Sequence, residues 1–176
     1  MRLFIAIDLN SEMKDELEYL SGVIKANSSR CSTTNRENLH LTLSFIGESD
    51  EKDKIIQALG KVSFPPFDLT LENTGHFARG NEKLFYGAMK KEDALMKLQK
   101  DISRALKDAG IAFDKKPFRP HITITRRTIL QNGYDISSVK CMDVSSPVRS
   151  FALYSSDLSG RSPVYTKLAE FPCRDR

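Results

Sequence analysis

The sequence predicts an α+β fold, in which two pseudo-symmetric lobes of antiparallel sheet and helices surround a central cleft. One observation is a repeated tetrapeptide: His40-Leu41-Thr42-Leu43 recurs in the second half as His121-Ile122-Thr123-Ile124. A second observation is that both copies follow the same order of strand, helix and loop. The two motif histidines also lie at nearly equal distances from Asp8 and Lys90, where their opening strands end. This order and spacing indicate a pseudo-repeat.

The first half of the chain predicts a strand, a helix and a second strand. Its opening residues are rich in Phe, Ile and Leu, as in a buried strand. Asn10 or Ser11 can cap the following helix, which places Leu17, Leu20 and Ile24 on one face. The predicted elements are a strand over 2–8, a helix over about 12–26, a Ser/Thr/Asn-rich loop over 26–38 and the first motif strand, His40 to Ile46, ended by Gly47.

The second half repeats this order around a strongly amphipathic helix. An apolar stripe defines the inner face of that helix, and Gly110 is placed to end it. The stripe consists of Leu95, Leu98, Ile102 and Leu106. The predicted elements are a strand over 84–89, the helix over 92–109, a basic loop over 114–120 and the second motif strand from His121.

The remaining segments supply further sheet and one short helix. A turn is expected at Gly80-Asn81, and a break at Pro65-Pro66. The predicted elements are a helix over 51–60, a strand over 67–71, and two strands over 148–154 and 164–171 that form a hairpin through the loop 155–163. We expect residues 1–176 to form a single domain of two intertwined lobes without a separate linker.

The composition indicates an ordinary globular protein, with 40% hydrophobic and 28% charged residues. No apolar stretch approaches the roughly 20 residues that span a bilayer, and Asp8 interrupts the N-terminal apolar run before it reaches the length of a signal-peptide core. The three cysteines form no CxxC pair and are expected to be reduced thiols. We therefore expect a cytoplasmic monomer with no membrane association.

The repeated motif carries the residues suited to acid–base chemistry on a phosphate. Because alternate side chains of a strand point to opposite faces, each copy turns its His and Thr outward and its aliphatic residues inward. Two such strands would offer two imidazoles and two hydroxyls to one cleft. The alternative is two half-buried strands whose histidines lie singly at a surface. Three dispersed histidines make a poor zinc site, so no metal or cofactor is predicted. His76, the third histidine, is expected to be a loop or surface residue.

Basic residues cluster around the second motif. The net charge is +4, a modest excess that suits an anionic partner. Lys115, Lys116 and Arg119 precede His121, and Arg126 and Arg127 follow it closely. A solvated loop is the alternative interpretation of this cluster.

These residues resemble the 2H phosphoesterase superfamily, and specifically the RNA 2′,3′-cyclic phosphodiesterases also called 2′-5′ RNA ligases. The resemblance runs nearly end to end and implies a bilobal LigT-like fold. It rests on Arg2-Leu3-Phe4-Ile5-Ala6-Ile7-Asp8, Asn38-Leu39-His40-Leu41-Thr42-Leu43-Ser44-Phe45-Ile46-Gly47, Phe118-Arg119-Pro120-His121-Ile122-Thr123-Ile124 and the ending with Leu153-Tyr154-Ser155-Ser156, Val164-Tyr165 and Phe171-Pro172. The chain departs from the family at Arg36, where members often have proline, and at Phe85-Tyr86, where they often have tryptophan.

The resemblance implies a role for each residue of this HxTx motif pair. His40 corresponds to the proton donor, His121 to the proton acceptor, Thr42 and Thr123 to phosphate-binding hydroxyls, and Arg126 to a residue that contacts the substrate end. The implied function is metal-independent hydrolysis of RNA 2′,3′-cyclic phosphate ends to 2′-phosphates, with reverse 2′-5′ ligation as a further possibility. The alternatives are a phosphodiesterase for small cyclic phosphates or 2′-5′ oligonucleotides, and a non-catalytic RNA-end-binding module.

Overall fold

The structure is a computed structural model that describes residues 1–174. Within that range the elements occur in the order β1 (Arg2–Ile7), α1 (Ser11–Ala26), β2 (Ser28–Thr33), β3 (Leu41–Glu48), α2 (Lys52–Leu59), β4 (Phe67–Arg79), β5 (Glu82–Met89), α3 (Asp93–Asp108), β6 (His121–Leu130), β7 (Ser145–Val148), β8 (Ser150–Asp157) and β9 (Val164–Pro172). Short 3₁₀ turns occur at Arg36–Asn38 and Ile136–Ser138.

The strands form two antiparallel sheets whose orders are related by the pseudo-repeat. The first sheet has the order β3-β1-β8-β9, and the second has the order β2-β6-β5-β4-β7. Each motif strand, β3 or β6, is paired with the strand that opens its own half, β1 or β5. Next to those opening strands lie β8 in one sheet and β4 in the other. The predicted α+β class, with two pseudo-symmetric antiparallel sheets, is confirmed.

The two halves of the chain exchange helices and loops. Helix α1 follows β1 but packs on β2, β6 and β7 of the other sheet, whereas α3 contacts α2, β3 and, to a lesser extent, β4. The loop before each motif strand also crosses to the other motif strand. Thr34 donates its backbone N–H to the carbonyl of Ile124 at 2.9 Å, and Asp114 donates to the carbonyl of Phe45 at 2.8 Å. Both motif strands are therefore held by backbone from both halves.

The helices agree closely with the sequence predictions because their patterns are local. All four residues of the predicted α3 stripe are at most 1% exposed. Asn10 caps α1 by accepting the N–H of Met13 at 2.9 Å. Gly110 ends α3 with φ +69°, and its N–H bonds to the carbonyl of Lys107 while that of Ile111 bonds to Leu106. This hydrogen-bond pattern is the Schellman motif, which requires a left-handed residue at the position of the glycine.

Several strand predictions were wrong in extent. The segment 26–38, expected to be a loop, contains β2, an edge strand of polar residues that are mostly exposed. It has no apolar alternation, and none of its residues is fully buried. Strand β4 continues to Arg79 rather than ending near residue 71, and most residues of its second half are exposed. Strand β7 is separate from β8, which begins at Ser150. The first motif strand begins at Leu41, so His40 lies just before it.

Candidate active site

The two motif histidines are held in the same way at the start of the motif strands. Nδ1 of His40 lies 2.6 Å from the carbonyl oxygen of Asn38, and Nδ1 of His121 lies 2.7 Å from that of Arg119. Because a carbonyl oxygen can only accept, both Nδ1 atoms carry a hydrogen. Nε2 is therefore the atom of each ring that can exchange a proton with a ligand, which is the tautomer that acid–base chemistry at Nε2 requires. In His40 this atom also contacts the hydroxyl of Thr42.

A β-bulge follows each histidine at the same position. In the pairing of β3 with β1, Leu43 is an extra residue, and in that of β6 with β5 Ile124 is the extra residue. A bulge reverses the alternation of faces beyond it. The residue five positions after each histidine, Phe45 or Arg126, therefore shares the face of that histidine and its threonine.

The backbone after the second bulge is fixed by buried hydroxyls. Thr125 and Thr128 are fully buried, and their Oγ1 atoms lie 2.9 Å apart. Thr128 also donates to the carbonyl of Arg126 at 3.3 Å. Between them Arg127 has φ 50°, a left-handed conformation that costs free energy in a residue other than glycine. These interactions set the direction in which the Arg126 side chain projects from β6.

His40 lies in an aromatic enclosure. Its ring centroid is 5.0 Å from that of Phe4 and 5.2 Å from that of Tyr165, and its Nε2 is 2.9 Å from Oγ1 of Thr42. Burial lowers the pKa of His40, the hydrogen bond to the Asn38 carbonyl opposes this change, and the charge of Arg126 lowers the pKa further. His40 is therefore a stronger acid than an exposed histidine.

His121 has a more open setting. The rings of Phe77 and Tyr86 contact it edge-on, with centroid distances of 5.7 Å and 5.4 Å. Thr123 lies two residues further along the same strand and is half-buried, as is His121 itself. The two histidines thus differ in environment although their backbone hydrogen bonds match.

Arg126 lies near residues of the other sheet. It belongs to β6, yet its charge lowers the pKa of His40 and opposes the burial-driven rise in the pKa of Tyr165, both of which lie with the four-stranded sheet. The charge of His121 also lowers the pKa of His40. Because charge–charge effects weaken with distance, both charges lie in the neighbourhood of His40. The two motif strands, β3 and β6, also contact each other, so the five predicted site residues, His40, Thr42, His121, Thr123 and Arg126, lie around one cleft between the two sheets.

Comparison with known proteins identifies the superfamily of this chain. The model of the 2′-5′ RNA ligase superfamily matches residues 13–138. An RNA 2′,3′-cyclic phosphodiesterase of Thermotoga maritima is 33% identical, covering 97% of this chain and 94% of that protein. The chain belongs to the 2′-5′ RNA ligase superfamily. The superfamily resemblance inferred from the motifs is confirmed.

A further relative and two solved structures match this chain over nearly their full lengths. The Escherichia coli RNA 2′,3′-cyclic phosphodiesterase is 31% identical over 95% of this chain and 93% of its own. The crystal structure of TT0787 from Thermus thermophilus superimposes with a TM-score of 0.83 at 28% identity, covering 99% of this chain and 98% of that one. Escherichia coli LigT complexed with 3′-AMP gives a TM-score of 0.77 at 26% identity with the same coverage. The LigT-like fold is confirmed.

The two positions at which a departure from the superfamily pattern was expected have defined contacts. Arg36 pairs with two carboxylates of α1, lying 2.7 Å from Asp15 and also contacting Glu18. It thereby ties the segment before His40 to that helix. Phe85 is 1% exposed in the core, whereas Tyr86 lies on the opposite face of β5 and touches the second motif histidine.

The predicted basic cluster borders the cleft. Lys115 and Lys116 are exposed in the loop that bonds to β3 through the N–H of Asp114 and the carbonyl of Phe45, 2.8 Å apart. Arg119 is also exposed and supplies the carbonyl that holds the second histidine. The prediction that this cluster contacts RNA stays a prediction.

His76 lies away from the cleft, as expected of a residue without a catalytic role. It is exposed on β4 and pairs with Phe85 of β5, with ring centroids 5.6 Å apart. Phe85 faces the core, so His76 is on the opposite face of the sheet from Tyr86.

Three further observations concern metal binding, membrane spans and a groove away from the motif residues. Within residues 1–174, no group of three or more His, Cys, Asp or Glu side chains is arranged to hold a metal ion. None of the helices in this range is long and apolar enough to cross a membrane. A groove of about 660 Å³ between α2 and α3, bordered by Lys61 and Arg104 among others, includes none of the motif residues.

Sequence reasoning missed the side chains that enclose His40. Asn38 is 7% exposed and donates its side-chain amide to the carbonyl of Pro163 at 2.8 Å, which joins the β8–β9 connection to the segment before His40. Phe4, Tyr154 and Tyr165 form a cluster of rings beneath it. These residues come from opposite ends of the chain, and no local pattern brings them together.

Proposed function

We propose that this chain hydrolyses RNA 2′,3′-cyclic phosphate ends to 2′-phosphates by a two-histidine acid–base mechanism. The observation that carries the proposal is the matched pair of histidines around one cleft, each with Nδ1 bound to a carbonyl and Nε2 left for proton transfer. The Thermotoga maritima and Escherichia coli relatives, named RNA 2′,3′-cyclic phosphodiesterases, support the same substrate class.

The two histidines divide the proton transfers. His121, on the more open side, accepts a proton from water as its oxygen attacks phosphorus. His40 donates the proton of Nε2 to the ribose 3′ oxygen as its bond to phosphorus breaks. One proton enters the pair and one leaves it, so the pair needs only one proton between them at the start. The bound phosphate is an anion, and its charge favours the protonated form of His40 that burial disfavours.

The remaining motif residues act on the phosphate oxygens. Thr42 and Thr123 present hydroxyls on the same face as the histidines, and Arg126 presents a guanidinium from across the cleft. Hydrogen bonds from hydroxyl and guanidinium groups offset the negative charge that develops on non-bridging oxygens in the transition state. Arg126 can act on the phosphate together with His121 because the bulge at Ile124 turns it to the face of that histidine.

The terminal nucleotide can use an exposed ring at the edge of the cleft. Phe45 is 48% exposed and lies on the face of His40, in the position that Arg126 occupies on the other motif strand. Bases stack on exposed aromatic side chains at little cost in sequence selectivity. Escherichia coli LigT, complexed with 3′-AMP, supports a nucleotide end as the ligand of this cleft.

The proposal also covers the cellular location, the oligomeric state and the reverse reaction. Cys31, Cys141 and Cys173 are free thiols in the structure, which supports a reducing, cytoplasmic location. Both histidines come from one chain, so a monomer suffices for the reaction. Because a catalyst lowers the barrier in both directions, the site can also join a cyclic phosphate to a 5′-hydroxyl by 2′-5′ ligation when RNA ends are abundant.

The proposal is tested by measuring turnover of an RNA with a 2′,3′-cyclic phosphate end in the presence of EDTA. We expect full activity, because two histidines supply both proton transfers. An RNA end that binds without turnover would instead indicate the binding module. Turnover confined to small cyclic phosphates or 2′-5′ oligonucleotides would indicate the alternative phosphodiesterase. Activity that EDTA abolishes and a divalent ion restores would contradict the metal-independent mechanism.

The pH dependence should show two limbs. We expect kcat/KM to be bell-shaped, since one histidine must be neutral and the other protonated, and the two apparent pKa values belong to the coupled pair. Burial lowers the pKa of His40 in the free enzyme, and the anionic phosphate raises it again in the complex. The limb of the kcat profile that reports loss of the His40 proton should therefore lie at higher pH than in kcat/KM. Rates that stay flat from about pH 5 to 8 would show that proton transfer by histidine is not limiting.

A further inference from the structure

We infer that Tyr86 is a positioning residue for His121, and that Gly75 leaves the space which the Tyr86 ring needs. The inference rests on the proposed role of His121 as proton acceptor.

The Tyr86 side chain lies across the neighbouring strand at a glycine. Tyr86 in β5 is paired with Thr123 of β6 on one side and with Gly75 of β4 on the other. A Cβ atom at Gly75 would lie 2.5 Å from Cζ, 2.6 Å from Oη and 2.7 Å from Cε2 of Tyr86. Carbon atoms in contact are separated by about 3.5–4.0 Å. The ring can occupy this place only because residue 75 has no side chain.

From this place the ring supports the imidazole of His121. The centroids of Tyr86 and His121 are 5.4 Å apart with an interplanar angle of 63°. Phe77 completes the contact, 4.7 Å from Tyr86 and 5.7 Å from His121. The three rings touch one another, so displacement of Tyr86 removes one of the two rings that flank the imidazole.

The orientation of the His121 ring depends more on its aromatic neighbours than the orientation of the His40 ring does. The hydrogen bond from Nδ1 to the Arg119 carbonyl anchors one atom of the His121 ring and does not prevent the ring from tilting about it. His40 has a corresponding bond and a second one, between Nε2 and the hydroxyl of Thr42. Edge-to-face contacts with Tyr86 and Phe77 are what limit the tilt of the His121 ring.

The ring of Tyr86, rather than its hydroxyl, makes these contacts. Within residues 1–174 the Tyr86 hydroxyl has no hydrogen-bond partner. A phenylalanine at position 86 should therefore preserve the support, and a leucine should remove it.

The test is a double-mutant cycle on positions 75 and 86. We expect Tyr86→Leu to lower kcat by about tenfold to a hundredfold, as displacement of a catalytic group by about 1 Å does, with little change in KM. Gly75→Ala should have a similar effect because its methyl group displaces the ring. The double variant should be no worse than Tyr86→Leu alone, since the alanine then meets no ring. Tyr86→Phe should retain the wild-type kcat.

Two variants elsewhere serve as matched controls. Gly22 in α1 has no atom within 4 Å of an added Cβ, so Gly22→Ala tests a glycine replacement without a clash. Tyr19 on the same helix is 59% exposed, so Tyr19→Leu tests loss of a tyrosine at the surface. Both should retain wild-type kcat, and thermal unfolding of every variant shows whether a loss of activity reflects a loss of fold.

A second readout needs no substrate. The Nδ1–H proton of His121, assigned by its absence in His121→Ala, should exchange with water faster in Tyr86→Leu and Gly75→Ala than in the wild type, as measured by NMR. The corresponding proton of His40 is the internal reference and should not change. If the wild type lacks turnover, the proposed function fails while this measurement still tests the positioning.

Three results would overturn the inference. They are unchanged kcat in Tyr86→Leu, additive losses in the double variant, or faster exchange of the His40 and His121 protons alike. The last would show a general loosening of the fold rather than a specific support of His121.

Discussion

Replacing either His40 or His121 with alanine should lower kcat for cyclic phosphate opening by about a hundredfold or more, the scale expected for removing one acid–base group. The reason is structural as well as chemical, since both imidazoles are held through Nδ1 with Nε2 left for the reaction. The double variant should be little worse than either single one, because the two groups act as a unit. Single-turnover and steady-state rates on one RNA end would measure this.

His76→Ala is the matched control for these variants. His76 is exposed on the face of β4 away from the cleft, so its loss should leave kcat near the wild-type value. A motif variant that turns over at the wild-type rate would contradict the two-histidine mechanism.

Arg126→Ala should impair an oligonucleotide and a mononucleotide 2′,3′-cyclic phosphate alike. Its guanidinium is close enough to His40 to lower the pKa of that residue, and removal of a donor to a developing anionic oxygen costs about a hundredfold in kcat. Arg104→Ala, on an exposed position of α3 remote from the motifs, is the control. Steady-state kinetics on both substrates would show the effect.

The exposed lysines before the second motif should behave differently from Arg126. Lys115→Ala with Lys116→Ala should raise KM for the oligonucleotide and leave the mononucleotide nearly unaffected, because their attraction is to backbone phosphates and is sensitive to salt. An equal effect on both substrates, or none on either, would return these lysines to the solvated-loop interpretation. A normal mononucleotide rate in Arg126→Ala would remove that arginine from the phosphate site.

The parts of this fold that are predictable from sequence are those with a local pattern. The α3 stripe and its terminal Gly110 identify a helix and its end without any tertiary information. The motif histidines are also predictable, since alternation within four residues is enough to place His and Thr on one face. Strand β2 is not, because an exposed edge strand has no apolar pattern and owes its conformation to pairing with β6.

Sequence periodicity would place Arg126 on the wrong face of its strand. A regular strand would turn Arg126 away from the face of His121, since the two are an odd number of residues apart. The bulge at Ile124 reverses this, and a bulge depends on the register between strands rather than on one segment. The enclosure of His40 is equally non-local, because Phe4 and Tyr165 come from β1 and β9.

Identification of the product formed from an RNA 2′,3′-cyclic phosphate end tests the central claim most directly. The proposed geometry has His40 protonate the 3′ oxygen as the leaving group, so the phosphate should remain on the 2′ position. Phosphorus NMR and comparison with synthetic 2′- and 3′-phosphate standards distinguish the two products. A 2′-phosphate as the single product is the result that we predict. A 3′-phosphate, or an unchanged cyclic phosphate, would contradict the assignment of His40 and His121 to their two sides of the phosphorus atom.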